Sequence, residues 1–78
     1  MIDAKTFFSD FQNEFIDPED ISIDETTEFR KIGSWDSLTG MAIFVMIQDK
    51  YCTHFTDSDF KACITAGDVL DRIMDYQK

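Results

Sequence analysis

The sequence predicts an all-α protein, a small four-helix bundle with three main helices, one short third helix and a long loop between helices one and two. Three observations carry that prediction. Apolar residues recur at helical spacing in separated stretches. Short oxygen-bearing side chains stand where they can cap those stretches. No segment reads as a strand or as an internal repeat. Seventy-eight residues with 44% apolar content describe one domain, residues 1–78, with little room for both a core and a deep catalytic cleft.

The first helix is predicted over residues 4–15. Ala4, Phe7, Phe8, Phe11 and Phe15 follow the i, i+3, i+4, i+7 rule, and Asp3 can accept backbone N–H bonds as the N-cap. From Ile16 to Trp35 no helical period is sustained. That stretch holds Pro18, many acids and scattered Ile21, Ile23, Phe29 and Ile32, which are expected to fold back onto the helices while the acids stay in water.

After Gly33, Asp36 can cap a second helix running from Ser37 to about Tyr51. Leu38, Met41, Ala42, Ile43, Phe44, Val45, Met46, Ile47 and Tyr51 cover more of this helix than the roughly 100° stripe a surface helix needs. With Met41, Phe44, Ile47 and Tyr51 facing inward, the stripe Leu38, Ala42 and Val45 is left for a partner; a central helix buried all round is the competing arrangement. Thr56 with Asp59 reads as a capping box opening a short helix from Asp57 to Ala62. Thr65 with Asp68 repeats the device before a last helix, from about Ala66 to Tyr76, striped by Val69, Leu70, Ile73 and Met74.

Charge and cysteine usage narrow the function. The formal charge of −9 opposes binding to nucleic acid or an anionic membrane. It is uneven, because residues 1–29 hold nine acids against the single base Lys5. Cys52 and Cys63 lack the spacing of a disulfide framework or a zinc site, so reduced thiols in a cytoplasmic setting are expected, with no bound metal. The longest apolar run, Met41 to Ile47, has seven residues where a membrane span needs about twenty, so no membrane insertion is expected. MIDAKTFF has no signal-like apolar core.

No catalytic constellation emerges. His54 is the one imidazole, no G-x-S-x-G elbow is present, and Asp17 to Glu28 puts Ile21 and Ser22 where a calcium loop needs an oxygen ligand and a glycine. The chain is therefore expected not to be an enzyme. What remains is Gly33-Ser34-Trp35-Asp36-Ser37-Leu38-Thr39, where a loop delivers a serine to the first turn of a helix. The orphan N–H groups and positive dipole end there would accommodate a phosphodiester on Ser37. Asp-Ser-Leu is also an ordinary helix-start signal.

Together these residues resemble the acyl carrier protein family. Asp36-Ser37-Leu38 matches its attachment motif at the start of the second helix. The likeness extends over the opening amphipathic helix, the loop ending Phe29-Arg30-Lys31-Ile32-Gly33, the short third helix and Ile64-Thr65-Ala66-Gly67-Asp68-Val69-Leu70-Asp71-Arg72-Ile73. The resemblance implies that Ser37 carries a 4′-phosphopantetheine arm, transferred from coenzyme A by a separate phosphopantetheinyl transferase (holo-acyl-carrier-protein synthase). The arm's thiol would hold acyl groups as thioesters for acyl-loading enzymes, acyltransferases or ketosynthases of fatty acid, lipid or polyketide type.

By the same resemblance Asp36, Leu38, Ala42, Val45 and Asp49 form the partner surface, with Asp57 and Asp59 adding negative field. One departure stands out: where relatives place several glutamates along this helix, the chain has Gly40, Ala42, Gln48 and Lys50, leaving Asp49 its one acid beyond Asp36. Two other functions compete with this expectation, a peptidyl or aminoacyl carrier using the same serine, and an unmodified helical adaptor that binds a partner through Leu38, Ala42 and Val45.

Overall fold

A computed structural model describes residues 2–77, with helices α1 over Ala4–Asn13, α2 over Ser37–Lys50, α3 over Asp57–Ala62 and α4 over Ala66–Tyr76. No strand occurs among the described residues. The predicted caps are all in place. Asp3 and Asp36 accept from the N–H groups of Thr6 and Thr39, and both Thr56–Asp59 and Thr65–Asp68 form reciprocal capping boxes. The first helix stops at Asn13, short of the expected residue 15, because Glu14 and Phe15 turn their N–H groups to the carbonyls three residues back. Phe15 still reaches the core.

The long connection is ordered by contacts that composition does not reveal. It contains two single 3₁₀ turns, Pro18–Asp20 and Phe29–Lys31, each too short to leave a periodic signal. The Gln12 side chain on α1 donates to the Pro18 carbonyl at 2.7 Å and accepts from the Ile23 N–H at 3.1 Å. At the far side, Ala66 and Gly67 at the start of α4 donate to the carbonyls of Thr27 and Glu25. Ile23 and Phe29 are thereby driven into the core, and Ile21 and Ile32 pack against it, as their apolar character leads one to expect.

That core is strongly aromatic. Phe7 and Phe11 enter from α1, Ile43, Met46 and Ile47 from α2, Phe60 from α3, and Val69, Leu70 and Ile73 from α4, with Phe15, Phe29 and Phe55 from the connections. The predicted inward face of α2 needs correction. The buried row is Thr39, Gly40, Ile43, Met46 and Ile47, whereas Met41 is 64% exposed and Phe44 and Tyr51 are half-buried. The reason is Gly40: the Trp35 indole lies against it, so this bare strip of helix turns toward the core and rotates Met41 outward. On α4, Met74 likewise faces out, because Ala66, Val69, Leu70 and Ile73 already complete an i, i+3, i+4, i+7 stripe.

Gly67 has a steric reason to be glycine. A Cβ there would fall well inside contact distance of the Glu25 carbonyl, a backbone atom that cannot swing aside. Gly67→Ala is expected to cost about 1–3 kcal/mol, the usual penalty for overpacking. A urea-unfolding midpoint unchanged from wild type would refute this.

The capping carboxylates couple stability to acid. Thr39's N–H and hydroxyl hold Asp36 below its ordinary pKa of 3.8, the Thr65 and Ile64 N–H groups do the same for Asp68, and the Thr6 hydroxyl and N–H for Asp3. Because the folded values are depressed, the stabilisation is present above the unfolded value and disappears as pH falls through the folded ones. Asp68→Asn should therefore lose less stability than wild type when the pH is lowered below 3.8. Urea titrations of both chains at matched salt measure the difference, which excludes the relief of self-repulsion common to both.

Candidate functional site

Ser37 is the first residue of α2, and its position follows from the two residues before it. Asp36 adopts an extended backbone and binds the Thr39 N–H through its carboxylate at 2.7 Å, while its carbonyl receives the Gly40 N–H at 3.0 Å. Trp35 anchors the approach, with its ring centroid 6.2 Å from Phe15, 5.5 Å from Phe29 and 6.5 Å from Phe60. A Cβ on Gly40 would stand 2.9 Å from the indole, so glycine is what allows Trp35 to lie this close to the helix. Ser37 is left exposed at the start of a helix whose first-turn N–H groups have no carbonyl partner one turn back.

Two grooves flank this point and share Met41 as a common wall. The first, of about 510 Å³, is lined by Leu38, Met41, Ala42, Val45, Met46, Asp49 and Lys50 of α2 together with Glu14. It brings together four of the predicted partner residues, Leu38, Ala42, Val45 and Asp49. Leu38 and Val45 are 76% and 47% exposed, which makes this face the surplus apolar stripe expected from the sequence. Sequence spacing within α2 can find Met41 and Met46, but Glu14 comes from the end of α1 and only folding puts it there.

The second groove, of about 430 Å³, opens beside Ser37 itself. Trp35, Met41, Phe44 and Phe60 give it apolar walls, Gly40 completes the helix side, and Arg30, Asp57 and Lys61 supply charge. Its lining joins the loop, α2 and α3, a grouping that no local pattern discloses. Asp57 pairs with Lys61 at 2.9 Å across one turn of α3, both side chains remaining exposed. Asp59 stands apart from both grooves. Its carboxylate accepts from the Thr56 N–H and the Tyr76 hydroxyl and lies 3.8 Å from Arg72, and its side chain is only 13% exposed. The Tyr76 hydroxyl is the main cause of its lowered pKa.

The remaining reactive side chains have structural surroundings. His54 stacks on Tyr76 and lines neither groove at Ser37. Cys52 and Cys63 are free and buried, and burial raises the Cys63 thiol pKa, which disfavours the nucleophilic thiolate. Among the described residues no group of His, Cys, Asp and Glu is arranged to hold a metal ion, and no helix is long and apolar enough to cross a membrane.

An exposed serine hydroxyl at a helix start, with an apolar groove alongside, fits a phosphodiester-linked arm that is polar at its root and partly apolar along its length. The family model for the phosphopantetheine attachment site matches residues 14–73, a span that includes Ser37 and both grooves' helix α2. No match was found to a curated protein or to a solved structure. With most of its length aligned to that model, the chain belongs to the phosphopantetheine attachment site family, whose domains carry covalent 4′-phosphopantetheine.

Proposed function

We propose that the chain is an acyl carrier protein in which Ser37 is the attachment point, and that catalysis belongs to its partner enzymes. The observation that carries this reading is the exposed Ser37 on the rim of an apolar groove, within the segment matched to the attachment-site family. When bound, the arm supplies a thiol that holds acyl groups as thioesters. Ser37 presents the hydroxyl to be modified, and no resident base is needed because a transferase acting on coenzyme A would supply it. Asp36 fixes the turn that presents Ser37. Trp35, Met41, Phe44 and Phe60 offer an arm or a cargo an apolar surface away from water.

The first groove then serves partners: phosphopantetheinyl transferase, acyl-loading enzymes, and acyltransferases or ketosynthases. Leu38, Ala42 and Val45 supply the apolar contact, with Glu14 and Asp49 as acids along its edge. Asp57, exposed on α3, has its charge matched by Lys61 one turn on, and Asp59 contributes chiefly by holding α3 to α4 through its capping and Tyr76 contacts. A cytoplasmic setting is consistent with the two free cysteines.

Incubation with coenzyme A, magnesium and a broad-specificity phosphopantetheinyl transferase should add one phosphopantetheine, located on Ser37 by intact mass and peptide fragmentation. Ser37→Ala should abolish that adduct and change unfolding stability by less than about 0.5 kcal/mol. An adduct persisting in the variant would mean another residue is modified. Preferential loading by an amino-acid-activating enzyme would replace the acyl assignment with an aminoacyl one.

Val45→Glu places a charge in the middle of the apolar face. It is expected to weaken docking of an acyl-loading enzyme about tenfold or more, with the helical circular dichroism unchanged. Equal affinity of wild type and variant in a binding titration would exclude this face as the partner surface.

A further inference from the structure

The two grooves beside Met41 differ in the sign of their charge. The partner-facing groove has two acids, Glu14 and Asp49, against Lys50. The groove at Ser37 has two bases, Arg30 and Lys61, against Asp57. In a chain with sixteen acids and seven bases, the groove next to the serine is thus one where cations outnumber acids. We propose that this groove is an oxyanion site, in which Arg30, assisted by Lys61, binds a negatively charged group carried by Ser37. That group is the arm's own phosphodiester or the terminal carboxylate of an acyl cargo. The inference rests on Ser37 being the attachment point.

Arg30 is built as a fixed donor. Its Nη1 and Nη2 donate to the carbonyls of Cys63 and Phe60, and the guanidinium lies 4.7 Å from the centroid of Phe29, 5.3 Å from Phe60 and 5.9 Å from Trp35. Two of its five N–H groups serve those carbonyls, so donors remain for another acceptor while the residue as a whole stays exposed. A guanidinium held this way has already lost the side-chain freedom that binding would otherwise remove. The aromatic walls of Trp35 and Phe60 exclude water on one side, which strengthens a charge-assisted bond to a carboxylate or phosphate oxygen.

Lys61 is the exposed second cation. Its pairing with Asp57 is an exposed contact across one helical turn, a weak and salt-screened interaction that an incoming anion can replace. The same arrangement discriminates among cargoes. An aminoacyl group would bring an ammonium toward Arg30 and Lys61, whereas a carboxylate-ended acyl group would lay its chain on Trp35, Met41 and Phe44 and its charge beside the two bases.

The test uses the ¹⁵N-labelled chain in four states: unmodified, carrying the bare arm, carrying a short neutral acyl group, and carrying that group's carboxylate-ended counterpart. Intact mass and fragmentation first establish loading on Ser37, and an arm found elsewhere would overturn the attachment reading and this inference with it. The Arg30 Nε–H resonance should move on anion binding, and the movement should shrink several-fold in about 0.5 M salt. Movement with the bare arm identifies the phosphodiester as the anion; movement only with the carboxylate-ended cargo identifies the cargo. An Arg30 signal at the same position in all four states overturns the proposal.

Two variants provide the reverse view. Arg30→Gln should remove, and Lys61→Gln should reduce, the shift of the phosphodiester ³¹P or cargo carboxylate ¹³C signal relative to the free thioester. Lys61 is exposed, so Lys61→Gln remains decisive where loss of the Arg30 bonds to α3 prevents folding. Signals identical to wild type in the folded variants would also overturn the site.

Discussion

The interaction on which the rest of this small bundle depends is the seat of Arg30. α3 has only six residues, too short to be stable by its own hydrogen bonds, and at its C-terminal end the Phe60 carbonyl has the Cys63 N–H as its backbone donor. Arg30 reaches from the loop to take the Phe60 and Cys63 carbonyls, and its flat face covers Phe29, which stacks on Phe60 with an interplanar angle of 4°. One side chain therefore closes a helix end, orders the tail of a long loop and completes an aromatic cluster. A lysine would supply the charge but neither the fork nor the planar face.

From that seat the geometry at Ser37 follows. The ordered loop tail carries Trp35 onto Phe29 and Phe60, Trp35 lies against the bare backbone at Gly40, and Asp36 then caps α2 with Ser37 outermost. The rotation of α2 about its axis is a by-product of the same contact. Turning Gly40 and Ile43 inward sends Met41 to the surface, where it becomes the wall between a groove lined by Glu14, Asp49 and Lys50 and one lined by Arg30, Lys61 and Asp57. An unbranched thioether suits a shared wall, because it can shift toward either groove at little cost.

Much of this was legible in the sequence, and the remainder was not for identifiable reasons. Asp3, Asp36, Thr56 and Thr65 announced the four helix starts because capping is a local interaction whose partners lie within three residues. A count of apolar positions showed that α2 has more than one packing face can use, and Leu38 and Val45 are indeed exposed, although the inward face from which that stripe was inferred is not the one observed. The choice of which face of α2 turns inward did not follow from that count, since every position from Met41 to Ile47 is apolar and periodicity cannot select among them. Gly40 held the answer, but a glycine's value lies in what packs on it. Glu14, Arg30 and Lys61 were hidden for the same reason: each joins a groove through contacts between elements far apart in sequence.

The aromatic cluster has an optical consequence. The chain contains one tryptophan, and it forms part of the groove wall beside Ser37 while resting on three phenylalanine rings. Indole emission responds to the polarity and quenching groups immediately around it, so the intrinsic fluorescence of this protein is dominated by a single locus at the mouth of the groove. Occupancy there, departure of the occupant, and loosening of the loop tail should each write a different spectrum. The molecule thus carries its own unlabelled gauge of whether that groove is filled or empty.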